Sequence, residues 1–258
     1  MKSASFFSIL KSEHLKSKYN IGVWLILSFP IIATIGTDIY VLSKTAEAIN
    51  NPQAKFDYNP WIYILGRYIF QYYSLLYPIL VSILCYSLWD MEYKNNGFRL
   101  LFTRPINKKE IYSSKVFFIL EILLISILIA FLLFWGSGYL LGYMPPGYDF
   151  SGYEINKISF IYFVRLFIGI TAISMIQHFL SLLFKSFVLP IGFASMVTMF
   201  CLMGQNWKYI GFIPYNTGWQ SFIGFVSGSI SLSNSEYINM IYILFFLIVS
   251  YFIFKRKK

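Results

Sequence analysis

Six stretches of this chain, each about as long as a bilayer is thick, run with almost no charge. They cover roughly residues 21–42, 61–89, 116–143, 158–184, 187–204 and 237–254. A spanning helix needs about 20 predominantly apolar residues, and in hydrocarbon its backbone polar groups must be satisfied internally. The expected fold is therefore all-α: a single polytopic membrane domain over residues 1–258 with six transmembrane helices. Composition agrees, with 57% hydrophobic and only 12% charged residues, about half the charged share of a soluble domain. A soluble enzyme, a disordered chain and a disulfide scaffold are excluded. The second, third and fourth runs are long enough to tilt or project from the membrane.

Lysine and arginine are unevenly spread over the connections. One side carries fifteen: Lys2, Lys11, Lys16 and Lys18, then Lys94, Arg99, Arg104, Lys108, Lys109 and Lys115, then Lys185, then Lys255, Arg256, Lys257 and Lys258. The other side holds Lys44, Lys55, Lys157 and Lys208. Basic loops stay in the cytoplasm, so both termini and the connection between the second and third runs are expected there. A formal net charge of +10 would point a soluble protein toward nucleic acid; here topology explains it, and no nucleic-acid partner is expected. The first run is longer than a signal peptide's apolar core, so it reads as a retained span.

The loops 43–60, 144–157 and 205–236 fall outside. The last is aromatic and apolar but broken by Gly211, Pro214, Gly218, Gly224 and Gly228. It reads as short helices dipping into the outer interface rather than as a continuous span. Neither an internal repeat nor a low-complexity segment is present, which leaves an inverted-repeat transporter unsupported.

Residues 4–18 read as an amphipathic interface helix, with Phe6, Phe7, Ile9, Leu10 and Leu15 gathered apart from Lys11, Glu13, Lys16 and Lys18. An ordinary basic flank that only sets topology remains open. The segment 90–115, DMEYKNNGFRLLFTRPINKKEIYSSK, is longer than a simple reversal needs. Glu92 and the cations make it water-facing, and Gly97 is a break. Phe98, Leu100 and Leu101 form an apolar knob beside Arg99, and Pro105 ends that element. Asn107 and Glu110 resemble a capping box that starts the next helix near Lys108. An apolar knob flanked by charge is a docking element for a soluble partner.

On these residues the chain resembles the membrane subunits of type-2 ABC transporters, in particular the small lantibiotic- and bacitracin-type immunity and export permeases. The likeness rests on Glu92 after the second span, Gly97, the pair Leu100 and Leu101, and Pro105, followed by a helix with Lys115 at the membrane edge. It implies a coupling helix within 92–104 that fits a groove on an ATPase, with Glu92, Gly97, Phe98, Leu100, Leu101, Arg104 and the following Pro105 as the ATPase-coupling residues. It further implies a separate ABC ATPase that binds ATP and Mg, a second permease that is identical or paralogous, and an amphipathic substrate. This chain has no GxxxxGK[ST] loop for phosphate, and no glycine in it precedes a lysine.

The remaining chemistry is sparse. His14 and His178 are the only histidines, which excludes HExxH chemistry and most zinc sites; His178 reads as an interior structural residue or a proton relay. Cys85 and Cys201 lie within apolar runs and form no CxxC. Ser137 lies about 33 Å along its helix from the inner edge, whereas His178 lies near the inner end of the fourth span, so a serine–histidine dyad is excluded. Charge inside hydrocarbon costs about 2.5–3.5 kcal/mol on insertion scales, so pairing is expected. Asp38 is expected to pair with Arg67 or Arg165 toward the outside, and Glu121 with His178 toward the inside. The leading reading is a permease subunit in the bacterial cytoplasmic membrane. An autonomous secondary transporter, a membrane-embedded enzyme and an assembly partner stand as alternatives in that order.

Overall fold

The computed structural model describes residues 6–50, 59–64, 70–94, 107–143, 153 and 155–257, and every regular element among them is a helix. In chain order these are α1 (Phe6–Ser17), α2 (Ile21–Asn50), α3 (Pro60–Ile64), α4 (Phe70–Tyr93) and α5 (Lys108–Gly142). Then follow α6 (Asn156–Leu183), α7 (Val188–Met203), α8 (Thr217–Val226) and α9 (Asn234–Arg256). Two 3-10 turns, Ile210–Phe212 and Pro214–Asn216, precede α8.

Among the described residues, five helices are long and apolar enough to cross a membrane: α2 over Ile21–Ser43, α4 over Gln71–Tyr93, and α5, α6 and α9. The fifth expected span, 187–204, appears as α7, an apolar helix of 16 residues, roughly 24 Å long at 1.5 Å per residue.

Two helix starts differ from the apolar runs for identifiable reasons. α5 begins at Lys108 rather than near 116 because Asn107 caps it, its side chain accepting from the Lys109 N–H at 3.0 Å. The two polar-looking turns that follow bury Ile111, Tyr112, Ser114 and Lys115. Glu110 does not complete the expected box; its Oε2 is buried and has no hydrogen-bond partner among the described residues. α9 starts at Asn234, before the apolar run, because Ser233 and Glu236 form a reciprocal capping box. The run 61–89 is described in two pieces, α3 and α4, with 65–69 outside the described residues.

α6 is the central helix. Residues 169–178 are buried without a break, all the way round the helix, as befits an element enclosed by neighbours. It packs against α9, α4, α8 and α5. α2 and α9 lie at the perimeter and expose Ile31, Ile32, Ile35 and Ile39, and Ile241, Leu244, Phe245 and Ile248, respectively. Such outward apolar faces suit lipid.

Pro30 within α2 has no N–H for the carbonyl of Ile26, one turn back. That carbonyl instead accepts from Ser126 Oγ of α5 at 2.8 Å, and Ser126 accepts from the Tyr77 hydroxyl of α4 at 2.9 Å. A backbone defect in one helix is thereby satisfied by the two beside it, as polar groups in hydrocarbon require.

The segment 205–236 differs from its sequence reading. It is broken into short helices, as expected, but α8 is not simply an interfacial element. Thr217, Gly218, Ser221, Gly224 and Phe225 form its buried face, packed on α6 and α4. A Cβ at Gly218 would approach Ser74 Cα to 2.9 Å, so only glycine lets α8 lie this close to α4.

Candidate functional site

The described residues bring four charges together where α1, α4 and α5 meet, at the end of the bundle from which segment 95–106 emerges. Lys115 Nζ lies 2.9 Å from Glu13 Oε2 and 3.0 Å from Glu92 Oε1. Lys16 Nζ lies 2.9 Å from the same Glu92 oxygen and 3.3 Å from Glu13 Oε1. The result is a closed ring of two acids and two bases. Glu13 and Lys115 are each 1% exposed, so this is no solvated surface pair.

Local structure explains the ring. On α1 the buried positions are Ile9, Glu13 and Ser17, one face at four-residue spacing. Phe7 and Leu15 stay 77% and 68% exposed. The expected division of α1 into an apolar face and a charged one is therefore corrected: Glu13 points inward because Lys115 is there to meet it. Taking a charge out of water costs several kcal/mol, recovered only with close, well-made partners; each member of the ring has two. Lys16 remains partly open to solvent. Burial pulls its ammonium down, but Glu13 and Glu92 outweigh that and hold it above the usual lysine value.

Lys115 also sits over the Trp89 ring, 5.3 Å from its centroid. The Trp89 indole N–H donates to His178 Nδ1 at 3.2 Å, and Tyr112 closes the group, 5.6 Å from the His178 ring. The Tyr112 hydroxyl reaches the Leu247 carbonyl at 2.8 Å and Ser250 Oγ at 2.5 Å. The ring is thus continuous with a packed seam joining α4, α5, α6 and α9.

Both ends of segment 95–106 are anchored here. On the entering side, the Tyr93 hydroxyl donates to the Leu182 carbonyl at 2.7 Å and the Tyr86 hydroxyl to the Lys185 carbonyl at 2.8 Å. On the leaving side, Lys108 Nζ donates to the Lys257 carbonyl at 2.7 Å. Lys257 Nζ in turn donates to the Tyr93 hydroxyl at 2.7 Å.

Of the coupling residues expected from sequence, Glu92 is in the ring. Gly97, Phe98, Leu100, Leu101, Arg104 and Pro105 lie outside the described residues. The expected charge pairs are redistributed. Glu121 meets His14 of α1 at 3.1 Å, not His178, because α1 lies along α5 while His178 faces Trp89. Arg165 does not meet Asp38. It reaches Glu236 at 3.8 Å and donates to the Ser229 carbonyl at 3.1 Å, to Ser229 Oγ at 2.8 Å and to the Ser231 carbonyl. Asp38 accepts instead from Ser137 Oγ, and Arg67 lies outside the described residues. Ser137 and His178 thus have separate partners on separate helices, as their depths required.

Sequence reasoning missed Glu13, Lys16 and Glu236 as partners. Two signals were present: the three-residue spacing of Glu13 and Lys16, and the Ser-x-x-Glu signature at 233–236. Among the described residues no three His, Cys, Asp or Glu side chains converge as a metal site.

A family model described as ABC-2 family transporter protein matches residues 9–201. The match begins inside α1 and ends inside α7, and it includes Glu13, Lys16, Glu92 and Lys115. No curated protein and no solved structure matches the chain.

Proposed function

Since the chain belongs to the ABC-2 transporter family, we propose that it is the permease subunit of an ABC transporter that exports or expels an amphipathic substrate, an antimicrobial peptide being the class its sequence resemblance implies. ATP and Mg are handled by a separate ATPase subunit. That ATPase docks on residues 92–104, with Phe98, Leu100 and Leu101 as the apolar contact and Arg104 at its rim. The basic end of the bundle and both termini face the cytosol of a bacterium, and α1 lies in the inner interface. α7 serves as the sixth crossing. At roughly 24 Å it is shorter than a hydrocarbon core of about 30 Å, so the bilayer thins beside it or the turns at 210–216 cover its end. A second permease, identical or paralogous, completes the pathway.

The observation that carries this reading is the burial of Glu92, the first residue of the proposed docking segment, in the four-charge ring. ATP-driven movement of the docking segment pulls on a buried network rather than on a loose loop. The two arrangements of the bundle are then shifted in population by whichever one the ATP-loaded partner binds better. Moving such an equilibrium from 1:99 to 99:1 takes a difference of about 10⁴ in affinity, which a docked ATPase can supply and an unanchored loop could not transmit.

The test is a crosslinked pulldown of the tagged chain from native membranes, comparing wild type with Leu100→Asp/Leu101→Asp. Recovery of an ATPase with wild type and its loss in the variant, with the permease still folded, is the expected result. Repeated absence of any ATPase from the wild-type material sinks the reading and promotes an autonomous transporter.

A further inference from the structure

Among the described charges of the long helices, Lys115, Glu121 and Arg165, and Glu92 at the end of α4, each have an acidic or basic partner no more than 3.8 Å away. Asp38 differs. Among the described residues its polar partner is a single hydroxyl, Ser137 Oγ, which holds Oδ1. Hydrocarbon does not tolerate an isolated carboxylate, so a complementary group is expected.

The position of Asp38 defines what that group can be. It lies 17 residues beyond Ile21, the first residue of α2, or about 26 Å along the helix, far from the four-charge ring. Ile31, Thr34, Asp38 and Leu42 share one flank of α2 at three- and four-residue spacing. Ile31 and Leu42 are exposed, and Asp38 itself is only half-buried. The carboxylate therefore opens sideways onto the apolar perimeter, near the far boundary of a hydrocarbon layer about 30 Å thick. A freely soluble cation has no reason to dwell there. A cation attached to an apolar body does: its head meets the carboxylate at the boundary while its tail lies along the Ile31 flank toward the midplane.

We propose that Asp38, oriented by Ser137, is a recognition site for the cationic head of an amphipathic ligand that reaches the α2–α5 seam laterally from the bilayer. This deepens the proposed transport function by giving the substrate a charge and a point of entry, and it rests on that reading only for its physiological meaning. Ser137 fixes the carboxylate so that little freedom is lost on binding, and the other carboxylate oxygen is left to the ligand. A charge-assisted contact of this kind discriminates strongly between a cation and a neutral body of the same shape.

The experiment uses the full chain in nanodiscs of zwitterionic phospholipid and a photoactivatable dodecyltrimethylammonium probe. Its control is the neutral isostere in which the quaternary nitrogen is replaced by carbon. Saturable labelling of α2 or α5 near residues 38 and 137 is expected with the cation. The neutral probe, and the cation on Asp38→Asn, should each need about ten times the concentration for half-saturation. Asp38→Glu should keep most of the binding. Equal labelling of Asp38→Asn and wild type, or equal labelling by both probes, overturns the proposal. So does rescue of an Asp38→Asn folding defect by Arg67→Gln, which would show an internal pair. If Asp38→Asn does not fold, Ser137→Ala reads the same site: about two- to fivefold weaker labelling is expected, and unchanged labelling overturns the assignment. No ATPase enters this measurement, so its failure and that of the permease reading are told apart.

Discussion

The ammonium of Lys115 lies 2.9 Å from Oε2 of Glu13, 102 residues earlier in the chain, with both side chains 1% exposed. Removing one partner of a buried ion pair strands the other and costs about 3–5 kcal/mol, whereas removing both together costs far less. Glu13→Gln and Lys115→Met should each lower the unfolding midpoint in mild detergent strongly, and the double variant should lose much less than their sum. Strictly additive losses would show that the two side chains are not coupled.

Ser126 satisfies two groups at once, the carbonyl that Pro30 leaves open and the Tyr77 hydroxyl. Ser126→Ala should cost about 1–3 kcal/mol, since buried polar groups are left unpaired. Pro30→Ala restores an N–H to the Ile26 carbonyl, so the double variant should be less damaged than Ser126→Ala alone. Thermal unfolding of the three variants side by side decides it; no recovery in the double variant would refute the link between Pro30 and Ser126.

A Cβ placed on Gly224 would collide with the Arg165 guanidinium, whereas one on Gly36 would meet nothing within 4 Å. Gly224→Ala should therefore destabilise by about 1–3 kcal/mol through overpacking. Gly36→Ala, in an open helical position, should be neutral or slightly stabilising. The comparison needs only melting curves, and equal behaviour of the two variants would contradict the packing of α8 on α6.

Lys257 is held down to about 8 by burial and then by the nearby charge of Lys185. Its folded value lies below the unfolded value of 10.5. This linkage therefore favours the folded state fully above 10.5, and the benefit fades as pH falls toward about 8. Stability should rise with pH across that window, and Lys257→Met should flatten the slope. Competitive acetylation gives a direct check. Lys257 should react as a half-neutral amine near pH 8, and Lys185→Gln should move its midpoint upward.

Much of this molecule is visible in one dimension. Long apolar runs require helices, because a backbone in hydrocarbon must satisfy its own polar groups. Asn107 marks the start of α5 because an N-cap acts within a few residues of itself. The break-up of 205–236 follows from its glycines and Pro214. The Ser233–Glu236 box is equally local, since both of its bonds close within three residues.

The charged groups were another matter. Periodicity and depth were enough to say that Asp38, Glu121 and Arg165 needed partners, but not to choose among partners at similar depth. Glu121 takes His14 because α1 lies along α5, and Arg165 takes Glu236 because 205–236 folds back over α6.

The sequence alone therefore determined that the chain is an all-helical membrane protein and where most of its helices run. These follow from hydropathy, capping and charge distribution, all of which act over short stretches of chain. Only the tertiary structure decided that Glu13 turns inward to Lys115 and Lys16, that α8 packs into the bundle, and that among the described residues Asp38 takes the Ser137 hydroxyl as its polar partner. Those outcomes depend on which helices become neighbours and on their rotation about their axes, and side chains a hundred residues apart meet only once that packing is settled.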